Sequence, residues 1–344
     1  MTAASDTPEL EARVGHYYQM DGTYLVGREK LREYARAVQD YHPAHWDVEA
    51  ARALGYNDVI APLTFTSAPG MQCNRRMFEE IVVGYDTYLQ TEEVFEQHRP
   101  IVAGDELVID VELTSVRRTA GRDFITVTNT FTDIASGERV HTLHTTVVGV
   151  TADDIDAGVK EAVQNAMMHD MNILDIGANP EAYEKTVRPE GEVKISDGGL
   201  TRTPGTRPFD QVQAGDELPA HHTRLSRGDL VNYAGVAGDA NPIHWDEEIA
   251  KLAGLPDVIA HGMLTMGLGA GFVSSWSGDP GAVTKYSVRL SQPAVVPAKE
   301  GADIEFTGKV KSLDPDTRSG VVIVGAKSAG KKIFGLATMN IRFR

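Results

Sequence analysis

The sequence predicts an α+β protein built of two tandem domains, each with a long helix lying across an antiparallel β-sheet. Three observations lead to this prediction: an internal repeat, a small-residue helix in the middle of each copy, and a series of alternating strands that closes each copy. The chain has 344 residues, which is enough for about two domains that each bury their own core.

The internal repeat relates residues 34–61 to residues 233–260 at a constant offset of 199 and without a gap. Of the 28 aligned pairs, 14 are identical. We therefore expect one domain over residues 1–150 and a related one over residues 207–344. The segment between them, residues 151–206, has five basic and eleven acidic residues, so its net charge is 5 − 11 = −6. Its first part is predicted to form a short helix, and its Gly-, Pro- and Thr-rich end a linker.

Each copy is predicted to contain an amphipathic helix, a short helix after a proline turn, and a buried helix of small and apolar residues. These helices are expected over Arg28–Val38, Glu49–Leu54 and Thr64–Val83 in the first copy, and over Arg227–Ala237, Glu248–Ala253 and Met263–Trp276 in the second.

Three segments with a period of two then close each copy. They are ELVIDVELTSVRRT, DFITVTNTFTDI and RVHTLHTTVVGV in the first copy, and ADIEFTGKVKSL, GVVIVGAKSA and KIFGLATMNIRF in the second. In the first segment, Leu107, Ile109 and Val111 share one face, while Asp110 and Glu112 share the other. This alternation is typical of a sheet with one covered face.

Charge and composition exclude several classes of protein. With 33 basic and 49 acidic residues the net charge is −16, which argues against a nucleic-acid binder or a protein of anionic membrane surfaces. The single cysteine, Cys73, excludes an intrachain disulfide framework. We find neither a secretory signal nor an apolar run of about 18 residues, so we expect a cytoplasmic protein without membrane insertion.

The segment most informative about chemistry surrounds Asp239 and His244 in the second copy. Pro242 lies between them and disfavours helix at Asn241, so the chain is expected to turn there and bring the two side chains to one small cavity. A carboxylate beside an imidazole provides an acid/base pair that works near neutral pH. The alternative is structural: Asp239 caps the short helix and His244 packs.

The run GDANPIH, residues 238–244, resembles the signature of R-specific enoyl-CoA hydratases (hydratase 2, MaoC-like). Residues 207–344 further resemble the catalytic subunit of the (3R)-hydroxyacyl-ACP dehydratase of actinobacterial type II fatty-acid synthase, and residues 1–150 resemble its substrate-binding subunit. The resemblance implies a fusion of two subunits with a double hot-dog fold, in which each domain wraps a sheet around a central helix.

The resemblance also implies a reaction and a set of site residues. The expected reaction is the reversible dehydration of a (3R)-hydroxyacyl thioester to the trans-2-enoyl thioester. His244 is expected to act as the base at C2, and Asp239 to orient or protonate the departing hydroxyl. The oxyanion and substrate-binding corner is expected to involve the Gly262 N–H at a helix start, with Asn241 and His261. Neither a metal nor an organic cofactor is expected.

The first copy departs from this pattern. It keeps Asp40 and His45 at the same spacing, but Pro62-Leu63 replaces His261-Gly262. Proline has no N–H, and leucine adds a side chain where a thioester would approach closely. We expect this copy to shape the acyl-chain tunnel, with Asp40 and His45 as a vestigial site; a second active site is the alternative.

The expected partner is a thioester substrate carried by acyl carrier protein or by CoA. The leading hypothesis is a dehydratase of long acyl-ACP, and the alternatives are an enoyl-CoA hydratase or a non-catalytic acyl-binding scaffold. The two copies are expected to form an intrachain pseudo-dimer, with further homo-oligomerisation left open. An acidic carrier would require a local basic patch. The basic pairs of the sequence are Arg75/Arg76, Arg117/Arg118 and Lys331/Lys332.

Overall fold

The helices of the two halves correspond to each other, as the repeat predicts. The structure, a computed structural model, describes residues 10–85, 87–151, 157–167, 187–191, 193–196 and 206–344. Its helices are α1 (Arg28–Ala37), α2 (Val48–Ala53), α3 (Ser67–Arg76), α4 (Ala157–Ala166), α5 (Arg227–Ala237), α6 (Glu247–Leu252) and α7 (Gly262–Ser277). None of the described helices is long and apolar enough to cross a membrane. Helix α4 lies where the predicted linker begins, and most of that linker falls outside the described residues.

The strands form one antiparallel sheet that runs through both halves. They are β1 (Tyr17–Gln19), β2 (Tyr24–Leu25), β3 (Thr87–Gln97), β4 (Glu106–Thr119), β5 (Arg122–Asp133), β6 (Glu138–Val150), β7 (Glu217–Leu225), β8 (Val283–Leu290), β9 (Ala302–Asp314), β10 (Ser319–Ser328), β11 (Lys331–Lys332) and β12 (Phe334–Arg342). The order is β1-β4-β5-β6-β3-β8-β12-β10-β9-β7, with β2 on β4 and β11 on β10.

The two halves meet at the β3–β8 pair, which we call the seam. There Phe95 lies opposite Tyr286, and the ladder ends at Glu92 opposite Arg289. Each half thus contributes a sheet wrapped around its central helix, α3 or α7. The predicted fold of two tandem hot-dog domains is confirmed.

Close packing of α7 against the first half depends on small residues. The middle of α7 is buried all round, so it has no solvent face. A Cβ added at Gly267 would lie 2.5 Å from Val38 Cγ1, and one added at Gly269 would lie 2.8 Å from the Tyr286 hydroxyl. Glycine at position 267 therefore sets how near α7 comes to the first half, and glycine at position 269 sets how near it comes to the sheet of its own half.

The predictions omit the two seam strands and the edge strand β7. Strand β3 has glutamates on both faces, so its sequence lacks the regular alternation of apolar and polar residues by which a strand is recognised. Two of these are balanced across the seam, because Glu96 pairs with Lys285 at 2.8 Å and Glu92 with Arg289 at 3.4 Å. The helix expected over Thr64–Val83 is also shorter: α3 ends at Arg76 and continues as a π-helical turn over Met77–Ile81.

Gly267→Ala is expected to destabilise the protein by about 1–3 kcal/mol, because the new methyl group overlaps Val38 and the helix must shift. The matched control is Gly235→Ala on the exposed surface of α5, where an added Cβ meets nothing within 4 Å and alanine favours the helix by about 1 kcal/mol. Urea denaturation of both variants tests this. Equal stability of the two would show that the α7 contact is not tightly packed.

Candidate active site

The loop that carries Asp239 follows directly from the end of α5. This helix starts with a capping box formed by Ser226 and Asp229 and ends at Gly238, whose φ of +83° is left-handed. A Cβ added at Gly238 would also lie 2.8 Å from Gln72 Nε2 on α3. Glycine is thus required here for its backbone conformation and for the close approach of the first half.

The turn after Asp239 is fixed by its own side chains. The backbone N–H of Asn241 donates to Asp239 Oδ1 at 3.3 Å, and the Asn241 side chain accepts from the N–H of Ile243 at 3.2 Å. Pro242 then opens the 3₁₀ turn Pro242–His244. Asn241 therefore caps the turn, and its predicted contact with substrate stays a prediction.

His244 is held in a single tautomer with one nitrogen free for chemistry. Its Nδ1 lies 2.8 Å from the carbonyl of Ile259, which only accepts, so Nδ1 must donate its proton there. Its Nε2 then carries a lone pair 4.0 Å from Asp239 Oδ2. The Asp239 side chain is 25% exposed and that of His244 9%, so the pair is reachable from solvent on the carboxylate side.

His261 contacts both members of this pair. It is buried, its ring stacks on that of His244 at a centroid distance of 3.8 Å, and its Nε2 donates to the carbonyl of Asp239 at 3.2 Å. Burial and then the neighbouring His244 lower the pKa of His261 to about 3, so it is neutral at physiological pH. The structure gives His261 a positioning contact with both members of the pair.

Asp239, His244 and His261 also offer metal-ligand atoms within 4.8 Å of one another. His244 Nδ1 and His261 Nε2 are already used in bonds to backbone carbonyls. The two rings are stacked 28° from parallel, so their remaining nitrogen lone pairs do not converge well on one ion. The prediction that no metal takes part stays a prediction.

Gly262 begins α7 beside the pair, where first-turn N–H groups have no acceptor within the helix. A Cβ added at Gly262 would lie 2.7 Å from Leu290 Cδ1 and 3.2 Å from Gln90 Oε1. Side chains from β8 and β3 therefore close over this corner. The predicted oxyanion role of the Gly262 N–H is untested but matches its position.

Gln90 and Glu93, on β3 of the first half, are site neighbours that sequence reasoning missed. Gln90 Nε2 donates to Glu93 Oε2 at 2.6 Å and also contacts Met263 Sδ at 3.2 Å. Glu93 is 1% exposed and accepts from Thr145 Oγ1 at 2.7 Å. Burial raises the pKa of Glu93 to about 8, although both hydrogen bonds work against this. The signal in the sequence is the adjacent pair Glu92-Glu93, because alternation in a strand forces one of them inward.

Asp40 and His45 in the first half form a tighter and fully enclosed pair. Asp40 Oδ2 lies 3.2 Å from His45 Nε2, and His45 Nδ1 donates to the carbonyl of Ile60 at 2.7 Å. The two side chains are 2% and 0% exposed. Burial opposes both charges, but their mutual attraction outweighs it, lowering the pKa of Asp40 and raising that of His45.

The second half seals this enclosed pair. A Cβ added at Gly271 of α7 would lie 3.2 Å from Asp40 Cγ. His42 Nε2 donates to the carbonyl of Gly278 at 3.2 Å, and the Tyr56 hydroxyl donates to Asp279 at 2.8 Å. Neither acid nor base is open to solvent, in keeping with the predicted vestigial site.

The first half has no helix start at the position that corresponds to Gly262. At an offset of 199, Gly262 corresponds to Leu63 (262 − 199 = 63), yet α3 begins only at Ser67, four residues later. Leu63 is buried, and Pro62 has no N–H to offer. The first copy therefore lacks a helix N-terminus next to its carboxylate and imidazole.

In the wild-type protein we expect the free energy of unfolding to fall as pH rises from about 4.5 to about 8, and we expect Glu93→Gln to abolish this fall. Over this interval the folded chain holds a proton on Glu93 that the unfolded chain releases, so the free energy of unfolding falls as pH rises. The effect amounts to at most about 5 kcal/mol at pH 8. Urea denaturation across this pH range measures it, with Glu92→Gln, whose carboxylate is partly exposed, as the control. An unchanged pH slope in Glu93→Gln would show that Glu93 is ionised in the folded protein.

Comparison with known proteins gives matches over both halves. Residues 206–328 match a sequence model of the MaoC like domain, and residues 12–143 match one of the FAS1-like, dehydratase domain region. A solved structure described as a MaoC-like dehydratase is 76% identical, covers 97% of this chain and 100% of its own, and superimposes with a TM-score of 0.92.

Two further similarities are more partial. A UPF0336 protein of Saccharopolyspora erythraea is 41% identical over 150 residues, which is 43% of this chain and 96% of that protein. A conserved hypothetical protein of Mycobacterium tuberculosis with a double hotdog fold is 14% identical over 96% of each chain, with a TM-score of 0.61. The latter shows the fold alone.

Proposed function

The chain belongs to the MaoC-like dehydratase family, and from that premise we propose that it interconverts (3R)-hydroxyacyl and trans-2-enoyl thioesters by removing and adding water. The observation that carries the proposal is the partly open pair of Asp239 and His244, with a free imidazole nitrogen 4.0 Å from the carboxylate. The enclosed pair in the first half supports a single active site per chain.

His244 is the base in this proposal. In dehydration its Nε2 takes the proton from C2, and the electron pair of that C–H bond forms the C2=C3 double bond as the C3–O bond breaks. The bond from Nδ1 to the Ile259 carbonyl fixes the ring so that Nε2 is the nitrogen that takes the proton, and it stabilises the imidazolium that forms. The stacked His261 is neutral, so it does not repel the positive charge that His244 gains when it takes the proton.

Asp239 serves the leaving hydroxyl. Either Asp239 supplies the proton with which the C3 hydroxyl departs as water, or it orients this hydroxyl to receive the proton that His244 has taken from C2. In the reverse direction the carboxylate and imidazole hold one water, which adds its oxygen at C3 while a proton is returned to C2. The hydrogen bonds to Asp239 from the Asn241 N–H and the His261 ring fix the loop at the distance this requires.

Negative charge that develops on the thioester oxygen requires a donor already in place. The Gly262 N–H is our candidate, because it lies at the start of a 16-residue helix whose dipole favours negative charge at this end. Leu290 and Gln90 cover the corner and limit access of water, which strengthens such an interaction.

We further propose an acyl-ACP substrate in type II fatty-acid elongation of the mycolic-acid type. The support is the resemblance of residues 207–344 and 1–150 to the two subunits of an actinobacterial dehydratase. A CoA ester is the second candidate carrier. The first half would shape the acyl-chain site, since its Gln72 and Gln90 already contact the corners at Gly238 and Gly262.

Asp239→Asn and His244→Ala are each expected to lower kcat/KM for hydration of crotonyl-CoA by about 10²–10⁴-fold, because each removes general acid or base catalysis. The loss of enoyl absorbance measures the rate, and circular dichroism verifies that the variants are folded. Near-normal turnover by both variants would exclude the pair as the catalytic groups.

Asp40→Asn is the matched substitution in the first half. It leaves His45 buried without its charge partner, so it is expected to cost about 3–5 kcal/mol of stability while the folded protein keeps kcat/KM within a few-fold of wild type. If Asp40→Asn abolished turnover below its unfolding temperature while Asp239→Asn did not, the assignment of the two halves would be reversed.

A further inference from the structure

Glu93 of the first half is a buried carboxyl group that lies one side chain away from the candidate oxyanion corner. It is located in the middle of the sheet, opposite Thr145 on β6 and Val288 on β8, and is 1% exposed. The proposed reaction steps do not use it. A carboxyl group in such surroundings is unfavourable when charged, and groups of this kind are concentrated at functional sites.

A continuous chain of contacts joins Glu93 to the start of α7. Gln90 Nε2 donates to Glu93 Oε2 at 2.6 Å and contacts Met263 Sδ at 3.2 Å. The oxygen of the same amide, Oε1, lies 3.2 Å from the position of a Cβ added at Gly262. One amide group of the first half therefore contacts both the buried carboxyl group and the first two residues of the second half's central helix.

A β-bulge places Gln90 and Glu93 on the same face of β3. The register against β6 shifts between Gln90 and Glu92, which makes Thr91 the extra residue. Without the bulge, residues 90 and 93 would point to opposite faces, because side chains alternate along a strand. The bulge thus directs Gln90 inward to the corner, while Glu92 faces outward and pairs with Arg289 at 3.4 Å.

Among the described residues, the elements packed around Glu93 present no charged group to it. The groups that face it are Gln90 on its own strand, Thr145 on β6, Val288 on β8 and, beyond Gln90, Met263 on α7. Burial raises the pKa of Glu93 to about 8, and the two hydrogen bonds lower it by less. Glu93 is therefore an uncharged acid at neutral pH and a carboxylate above pH about 8.

Ionisation of Glu93 would oppose the reaction at this corner. Removal of the C2 proton builds negative charge on the thioester oxygen, which the proposed mechanism places at the Gly262 N–H. A carboxylate one amide group away repels that charge, and the repulsion is strong because burial limits screening by water. The carboxylate would also bind the Gln90 amide more tightly than the uncharged acid does, and so change its contact with the helix start.

We infer that Glu93 is a positioning residue of the thioester site, which acts through Gln90 on the start of α7 and supports turnover only while it is uncharged. The first half thereby contributes to the reaction although its own pair of Asp40 and His45 is enclosed. This inference rests on the proposed function and adds to it a loss of activity at alkaline pH that is set by the first half.

The test is the pH profile of kcat for hydration of crotonyl-CoA between pH about 6 and about 9.5, with the folded fraction measured by circular dichroism at each pH. Wild type is expected to lose about tenfold in kcat above pH about 8. Glu93→Gln keeps the shape of the side chain but cannot ionise, so it is expected to lack this loss. Glu92→Gln, the same change on the outer face, is the matched control and is expected to retain it.

Thr145→Val provides a second test that does not depend on the folding of Glu93→Gln. It removes a hydrogen bond that lowers the pKa of Glu93, so the loss of kcat is expected to move to higher pH. A role of Glu93 confined to stability would change the unfolding of this variant but not the pH at which kcat falls.

Identical kcat profiles for wild type and Glu93→Gln, or a loss of kcat in Thr145→Val at the wild-type pH, would overturn the inference and leave the proposed function intact. If wild type hydrates no enoyl thioester, the proposed function fails, and NMR of the Met263 methyl group, assigned with Met263→Leu, tests the coupling on its own. Its chemical shift is expected to change with a midpoint at pH about 8 in wild type and not in Glu93→Gln. The same pH dependence in both proteins would overturn the inference.

Discussion

Contact between each central helix and the loop of the opposite half is the constraint on which the rest of this structure depends. At an offset of 199, Gln39 corresponds to Gly238 and Gln72 to Gly271. In the loop of the second half, Gly238 lies against Gln72 of α3. In the loop of the first half, Asp40 lies against Gly271 of α7. Each interface pairs a small residue with a larger one, so the two halves can approach closely only in this arrangement.

The same contacts bury the Asp/His pairs of the two halves to different extents. Gly271 on α7, with Gly278 and Asp279 in the segment after it, covers the Asp40/His45 pair of the first half. This pair is therefore buried in the core, where its two charges stabilise each other. Over the second-half pair, the corresponding end of α3 is a π-helical turn, and Asp239 keeps a quarter of its side chain exposed. The repeated Asp/His motif is thus enclosed in the first half and open to solvent on its carboxylate side in the second half.

The sequence predicted those features of the fold and site whose determining residues lie close together in the chain. The Asp-Asn-Pro-His turn was foreseen because all its determinants lie within six residues, and the structure brings Asp239 and His244 together as expected. The buried helices were foreseen from their small and apolar residues. Strand β3 was not, because its inner face carries Gln90 and Glu93 beside Phe95, and because Glu92 and Glu96 on its outer face pair with Arg289 and Lys285, which are distant in sequence. Gln90 could not be assigned to the site, since its contact with Met263 spans 173 residues of sequence.

We propose that one chain offers one thioester site, at Asp239, His244 and Gly262. A crystal structure of the Asp239→Asn protein with a bound (3R)-hydroxyacyl thioester would show where the substrate lies. We expect the thioester oxygen at the Gly262 N–H, the C2 proton facing His244 Nε2 and the C3 hydroxyl beside residue 239. Density for the acyl group at Asp40 and His45, or a bound ligand that leaves His244 without contact, would contradict it.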